Sequence, residues 1–287
     1  MRLKSICAIL ALPALLAIAL PAFAAGHGPV FGLATPTNSQ GEWSFDFGVV
    51  GRNTPLDTEV EARSMLTYGF TPHLQWSLVV PGFLNTIAAP PTRNMGGDLE
   101  SNVGWRFLHN AKAVGTRLES TAYLGMVVPG MQRMPGMLGM LHRAPGVNSA
   151  LATGLASRSH YLWGGAQYTR FATREGDRRP AVFDYSLVYG YRPRALRKEY
   201  EFWDWRVFAE MTGEVWDHAE KSGLVMPGTS GQQLFLGPTT LGIYKSFAIE
   251  GGVQFPIFRD VSPVYPRERL RFAINISYFL FSRNHTH

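Results

Sequence analysis

The chain has 287 residues, of which 46% are hydrophobic and 17% charged, and its formal net charge is +6. Bases and acids are interspersed without the basic run of a nucleic-acid-binding arm, so we expect no nucleic-acid partner. The only cysteine, Cys7, lies near the start, which excludes disulfides and cysteine metal sites from the rest of the chain.

Residues 1–24 are typical of a secretory signal peptide. Arg2 and Lys4 precede an apolar run from Ile6 to Leu20, and Ala22 to Ala24 supplies the small-x-small cleavage pattern. The apolar run is shorter than the roughly twenty residues of a membrane-spanning helix. We therefore expect these residues to be removed, which lowers the net charge to about +4, that is 25 bases against 21 acids.

The chain then alternates apolar and polar residues. Trp43 to Arg52 and Leu270 to Leu280 are the clearest stretches, and a period of two predicts a strand, because successive side chains leave opposite faces. We expect residues 25–42, ahead of the first strand, to form a periplasmic N-terminal segment. The predicted strands are 43–52, 62–70, 74–82, 99–108, 117–128, 148–158, 161–171, 182–191, 205–216, 234–245, 248–258 and 269–281.

The predicted connections alternate between short, such as Thr71 to His73, and long, such as Phe83 to Asp98. Strands of about ten residues can cross a membrane, whereas strands of soluble sandwiches average about five or six. We therefore predict an all-β fold: one transmembrane antiparallel up-and-down β-barrel of about twelve strands over residues 43–281. Short turns would face the periplasm and long loops the outside. Arg192 to Asp204 departs from this alternation, and residues 282–287 would form a C-terminal tail.

Aromatic residues gather at the predicted strand ends, as expected for the two girdles of a membrane barrel. Those assigned to the periplasmic girdle are Trp43, Phe70, Trp76, Phe107, Tyr161, Trp163, Tyr189, Tyr191, Trp203, Trp205 and Phe281.

Charged residues on the polar side of the strands would face the lumen. Such groups can line a path and select solutes by charge, or they can pair and fill a lumen of intermediate width. The pore-lining candidates are Glu100, Arg106, Arg117, Glu119, Arg170, Glu210, Glu214 and Arg271.

Three stretches carry a resemblance to a known family: Gly26 to Pro29 followed by Gly41 to Phe45, then Tyr68 to Gln75, then Leu236 to Pro238 with Gly251 to Pro256. With them the chain resembles the bacterial outer-membrane proteins of the MetA-pathway phenol-degradation transporter family. This resemblance implies an outer-membrane location and the passage of small or hydrophobic molecules.

We therefore expect an outer-membrane channel or transporter that passes small solutes through a charged lumen, not an enzyme, with no cofactor and no metal. Its expected partners are outer-membrane lipids, the barrel-assembly machinery during insertion, and a small-molecule solute.

Two alternatives stay open. The first is a barrel enzyme acting on envelope lipid or peptide, with His142 and His218 near the acids Asp217 and Glu220 in outer loops. The second is a non-conducting envelope protein that binds metal through the loop Met131 to Met140, where a methionine recurs every three residues. Thioether sulfurs are soft ligands that suit Cu(I).

Overall fold

The computed structural model describes residues 28–55, 58–86, 93–95, 98–130, 136–197, 201–262, 265 and 267–280. The predicted signal peptide and C-terminal tail lie outside these residues. The long strands are β1 (Trp43–Asn53), β2 (Thr58–Thr71), β3 (Leu74–Thr86), β4 (Leu99–Ala113), β5 (Thr116–Val128), β6 (Gly146–Ala156), β7 (His160–Phe171), β8 (Val182–Tyr191), β9 (Asp204–Trp216), β10 (Gly231–Tyr244), β11 (Phe247–Val261) and β12 (Leu270–Leu280). Short strands Arg93–Met95, Glu220–Lys221 and Leu224–Val225 and a 3₁₀ helix, Gly136–Met140, lie in the long connections.

The twelve strands close into a ring. Each pairs antiparallel with its neighbours in sequence, and β1 pairs with β12 from Trp43 opposite Leu280 to Asn53 opposite Leu270. Closure leaves no open edge, so the backbone groups of the wall are paired within it. The prediction of a twelve-stranded antiparallel barrel is confirmed. We call the end that holds Trp43 the short-turn end and the end that holds Asn53 the long-loop end.

The wall has apolar side chains outside and polar side chains inside. In β1, Phe45 and Phe47 are 45% and 54% exposed, whereas Ser44 and Asp46 beside them are 1% and 6% exposed. The same inversion runs around the ring, with these apolar residues exposed: Leu124, Met126, Leu151, Leu187, Leu236, Ile249, Ile274 and Ile276. A water-soluble protein rarely exposes so continuous an apolar surface, but lipid suits it. No helix of the described chain is long and apolar enough to cross a membrane.

Two aromatic residues predicted for a girdle lie inside the barrel instead. Tyr161 and Trp163 are buried and pack with Phe208 and Phe279 in an apolar cluster towards the short-turn end. The prediction was wrong for this pair because β7 carries large apolar residues on both faces, such as Leu162 and Trp163. Aromatic rings therefore fill part of the lumen at this end.

The long connection between β8 and β9 contains a turn over Arg194 to Leu196. The Arg192 guanidinium lies 2.7 Å from the Asp204 carboxylate, so an ion pair draws the two strand ends together. This explains how a long connection can close the short-turn end.

Placing a charge on the outer face tests whether that face lies in lipid. We expect Ile274→Arg, near the middle of β12, to lower the free energy of unfolding by about 2–4 kcal/mol, because the guanidinium would lie near the bilayer midplane. Leu280→Arg, at the strand end, should cost about 0–1 kcal/mol, because the side chain can reach water. Denaturant unfolding in lipid vesicles measures both. Equal, small effects would contradict a lipid-facing position for Ile274.

Candidate functional site

The described part of the stretch between the predicted signal peptide and β1, residues 28–42, lies in the lumen. We call residues 28–42 the inner segment. Val30, Leu33, Thr35 and Asn38 are all at least 95% buried. The inner segment runs from the middle of the barrel to the short-turn end, where it joins β1. The expected periplasmic N-terminal segment thus lies, over its described part, against the inner wall.

Glu210 of β9 holds the start of the inner segment. Its carboxylate accepts hydrogen bonds from the backbone amides of Val30, Phe31 and Gly32 at 2.7, 2.8 and 2.9 Å. The Thr239 hydroxyl donates to the same group. Glu210 is 0% exposed, and charge-assisted hydrogen bonds in such surroundings are about twice as strong as neutral ones. Glu210 thus accepts three hydrogen bonds from successive amides of the inner segment.

Further hydrogen bonds attach the inner segment to other strands. The Leu33 amide donates to the Ser186 hydroxyl at 3.0 Å, and the Asn38 amide donates to Gln75 Oε1 at 2.9 Å. Between them, Thr35 is held twice. Its hydroxyl donates to Glu119 at 3.1 Å and its carbonyl accepts from the Thr121 hydroxyl at 2.6 Å. The Asn38 side chain also donates to the Ser44 hydroxyl at 3.2 Å. Up to Asn38, the inner segment therefore bonds to strands β1, β3, β5, β8 and β9, so it crosses the lumen.

Two wall glycines make room for it. A Cβ atom at Gly165 would lie 2.6 Å from Leu33 Cβ, and one at Gly69 would lie 2.1 Å from the Ser39 carbonyl oxygen. Both distances are too short for non-bonded atoms, so a side chain at either wall position would displace the inner segment. The fit shows that wall and inner segment are complementary in shape.

The pore-lining candidates mostly face the lumen, but they pair with one another. Glu119 lies 3.2 Å from Arg106 and 3.0 Å from Arg117. Arg271 donates to Glu214 at 2.9 Å and to Glu268. Burial opposes ionisation of Glu268, yet the guanidiniums of Arg271 and Arg52 lower its pKa to about 2.

Glu100 and Arg170 have different surroundings. Glu100 is buried on the inner face of β4 and accepts from Asn148 Nδ2 at 3.4 Å. Arg170 shares the outward face of β7 with Leu162 and Tyr168 and is exposed. The prediction that it faces the lumen was wrong, because the odd-numbered residues of β7, such as Gln167 and Thr169, point inward. Arg170 lies one residue from the strand end, where a long cationic side chain reaches water.

Sequence reasoning did not name the neutral groups that hold the inner segment. Ser186, Thr239, Thr121 and Gln75 act through hydroxyl or amide groups. Strand parity places each of them inward, and that was the available signal. What parity cannot give is the partner, because Glu210 and Val30 are 180 residues apart.

Ion pairs tie the long connections together at the long-loop end. The Asp177 carboxylate is 1% exposed and lies 2.9 Å from His142 Nδ1 and 3.0 Å from Lys221 Nζ. It also accepts from the backbone amides of His142 and Ser222. These amides, chiefly, and the ammonium hold the pKa of Asp177 well below its usual range.

The histidines considered for rim chemistry have these partners. His142 is engaged by Asp177. His218 Nε2 lies 3.3 Å from the Ser230 hydroxyl, and its Nδ1 lies 3.8 Å from Asp217. Asp217 is mostly exposed and accepts from the backbone amide of His218 instead. The third link of a serine–histidine–aspartate triad is therefore beyond hydrogen-bond distance.

The loop considered for copper lies largely outside the described residues. Met140 is described, and its side chain is 68% exposed while its carbonyl accepts from Lys221. Within the described part of the chain no cluster of three or more histidines, cysteines or acids has the arrangement of a metal site.

No family model and no curated protein matches this chain. Solved structures do. A COG4313 outer membrane channel from Pseudomonas putida F1 is similar with a TM-score of 0.65 at 11% identity, over 86% of this chain and 98% of that one. The NanC porin has a TM-score of 0.49 at 10% identity, over 82% and 98%. LpxR from Salmonella typhimurium has a TM-score of 0.42 at 10% identity, over 83% and 100%. The first of these places the chain in the fold of outer-membrane β-barrels.

Removing the charge of Glu210 should loosen the inner segment. In Glu210→Gln the amide would present hydrogens towards backbone donors, so docking should weaken by about 2 kcal/mol, or about 30-fold. Hydrogen exchange at the amides of Val30, Phe31 and Gly32 measures this. Glu175→Gln is the matched control, because Glu175 is exposed in a long connection. Unchanged protection of the three amides in Glu210→Gln would contradict the assignment.

Asp177 should stabilise the long connections only while it is ionised. Asp177→Asn should speed exchange of the His142 and Ser222 amides about tenfold at neutral pH, whereas Asp260→Asn, at an exposed acid, should not. Because the folded pKa is lowered, the stabilisation is complete above the ordinary aspartate pKa of about 4 and declines as pH falls below it. Rates normalised for intrinsic exchange should therefore converge between wild type and Asp177→Asn in acid. A difference that grows in acid would contradict this.

Proposed function

We propose that this protein is an outer-membrane channel for small solutes, and that the inner segment is its gate. In the conformation described, rings and the inner segment fill the lumen towards the short-turn end. Conduction then requires residues 28–38 to leave their positions. The observation that carries this proposal is the manner of attachment: up to Asn38, the backbone amides of the inner segment donate to side chains of the wall and form no strand ladder with it.

The contrast in attachment supports a movable element. The wall strands are joined by continuous ladders, of which β1–β12 alone spans eleven residue pairs. The inner segment up to Asn38 is held by separate hydrogen bonds to five strands, β1, β3, β5, β8 and β9. Separate bonds can be replaced by water one at a time, so its release does not require the barrel to open.

Selection would combine lumen width with charge. Glu119, Arg106 and Arg117 lie around the short-turn half, and Glu214, Arg271 and Glu268 around the long-loop half. A solute would pass both groups in turn, and each presents both signs of charge. The resemblance to the MetA-pathway transporters and the shared fold with a COG4313 channel agree with this role. Membership of that family, and the small or hydrophobic solute it implies, are part of the proposal.

Among the described residues, the contact between Ser230 and His218 is the specific basis for a second role, as a barrel enzyme. Their 3.3 Å contact is suitable for proton transfer, but the third member is too distant and too exposed. Turnover of a lipid or peptide substrate that is lost in His218→Ala would favour that alternative over the channel.

A reversible lock tests the gate directly. A Cβ atom at Gly32 would lie 3.4 Å from Ser186 Cβ, near the separation of a disulfide, and 2.5 Å from a Val188 methyl. We therefore choose Gly32→Cys with Ser186→Cys in a Val188→Ala background. In planar bilayers the oxidised protein should be silent, and reduction should restore openings, because the inner segment can then leave.

The controls are Val188→Ala alone and each single cysteine variant, which should conduct with and without reductant. Glu210→Gln should raise the open fraction. Equal conductance of the oxidised and reduced lock would contradict the gate. Silence of every correctly folded form would contradict the channel itself.

A further inference from the structure

A cavity lies between the inner segment and the long-loop end. Phe31, Leu33 and Val50 form its apolar part, and Gln167, Asp184 and Glu214 form its polar part. The cavity, together with the open lumen next to it, has a volume of about 540 Å³. Its enclosed part has room for about two water-sized groups.

The polar part is one row across three neighbouring strands. Gln167 of β7 is opposite Asp184 of β8, and Asp184 is opposite Glu214 of β9. Side chains opposite each other are about 4.5–5.5 Å apart at Cβ, and like charges there are destabilising. The Asp184–Glu214 pair therefore needs positive charge or a proton.

Glu214 is paired with Arg271, and the hydrogen bonds of that guanidinium go to Glu214 and Glu268, not to Asp184. Arg271 donates from both terminal nitrogens to Glu214 and from Nε to Glu268. Arg63 also lines the cavity, but it interacts with the carboxylates of Glu61, Glu100, Glu250 and Asp46. The cavity lining itself holds two carboxylates, Asp184 and Glu214, and two guanidiniums, Arg63 and Arg271. Because Arg63 is shared with the four acids just named, the acids in and around the cavity outnumber its guanidiniums.

Two buried acceptors in the row lack a partner among the described residues. They are Oδ1 of Asp184, which is 8% exposed, and Oε1 of Gln167, which is 4% exposed. Leaving a buried acceptor without a donor costs free energy. Both atoms require a donor, and a positively charged donor would also offset the negative charge of the row.

We propose that this cavity binds a small cation that carries N–H donors, namely ammonium or the head of a primary amine. The ammonium group would lie between Asp184 and Gln167, with any short alkyl part towards Phe31 and Leu33. This inference rests on the proposed channel function, since it names the class of solute that would bind on the long-loop side of the docked inner segment. A divalent metal fits less well, because the described residues there do not form a metal-ligand cluster.

Thermal unfolding of the purified barrel in detergent tests the proposal without requiring conduction. A ligand that binds only the folded state raises Tm. Methylammonium chloride at roughly ten times its Kd should raise Tm by about 3–6 °C above the same concentration of potassium chloride. Tetramethylammonium, which has no N–H donor, should give no such rise.

Asp184→Asn should abolish the methylammonium shift, and Gln167→Leu should reduce it. Asp260→Asn removes the same charge from an exposed position and should keep the full shift. If Asp184→Asn does not fold, Gln167→Leu decides the result. A shift that survives in the cavity variants, or that tetramethylammonium reproduces, would overturn the proposal. So would the absence of any shift, which would mean that a proton satisfies Asp184.

Conductance separates this result from the proposed function. A barrel that conducts but shows no methylammonium stabilisation retains the channel and loses the amine site. A barrel that is stabilised by methylammonium but never conducts retains the site and loses the channel.

Discussion

Closure of the wall through the β1–β12 ladder is the constraint on which the rest depends. Eleven residue pairs join the first and last strands, so the backbone is satisfied within the ring and its outer face can be apolar. A strict alternation of side chains then sends every second residue inward. Polar groups such as Asp46, Glu210 and Glu250 are consequently buried in a narrow lumen, where each needs a partner.

The inner segment supplies some of those partners. In a β-ladder the backbone amides are already paired, whereas in the irregular inner segment they are free to bond side chains. Glu210 accepts hydrogen bonds from three such amides in succession. The same carboxylate would be costly in an empty apolar lumen and holds the inner segment in a filled one. In the proposed channel, stability of the closed lumen and control of its opening therefore depend on the same contact.

Much of the wall follows from the sequence, because period two is local. The alternation in β1 and β12 predicted both their faces and nearly their bounds. β2 begins at Thr58 rather than 62, because backbone pairing continues past the end of the apolar pattern. Arg170 and Trp163 were placed on the wrong faces, since β7 has large apolar residues on both sides and the polar-inward rule fails there.

The inner segment could not be placed from the sequence. It has no period, and Pro29 and Pro36 interrupt it, so nothing local distinguishes a lumen segment from a periplasmic one. Its position depends on hydrogen bonds to β3, β5, β8 and β9, and these strands surround one lumen only after the ring has closed. The amine-binding row has the same origin, because Gln167, Asp184 and Glu214 become neighbours only through strand register.

The most direct test of the gate is chemical modification during conduction. Ala34 is 4% exposed within the lumen, so a cysteine there should be shielded while the inner segment is docked. With Ala34→Cys in a planar bilayer, a membrane-impermeant thiol reagent should react only during open events and should then hold the channel open. Steady conductance through a barrel whose cysteine never reacts would show that solutes pass with the inner segment in place, and would contradict the account.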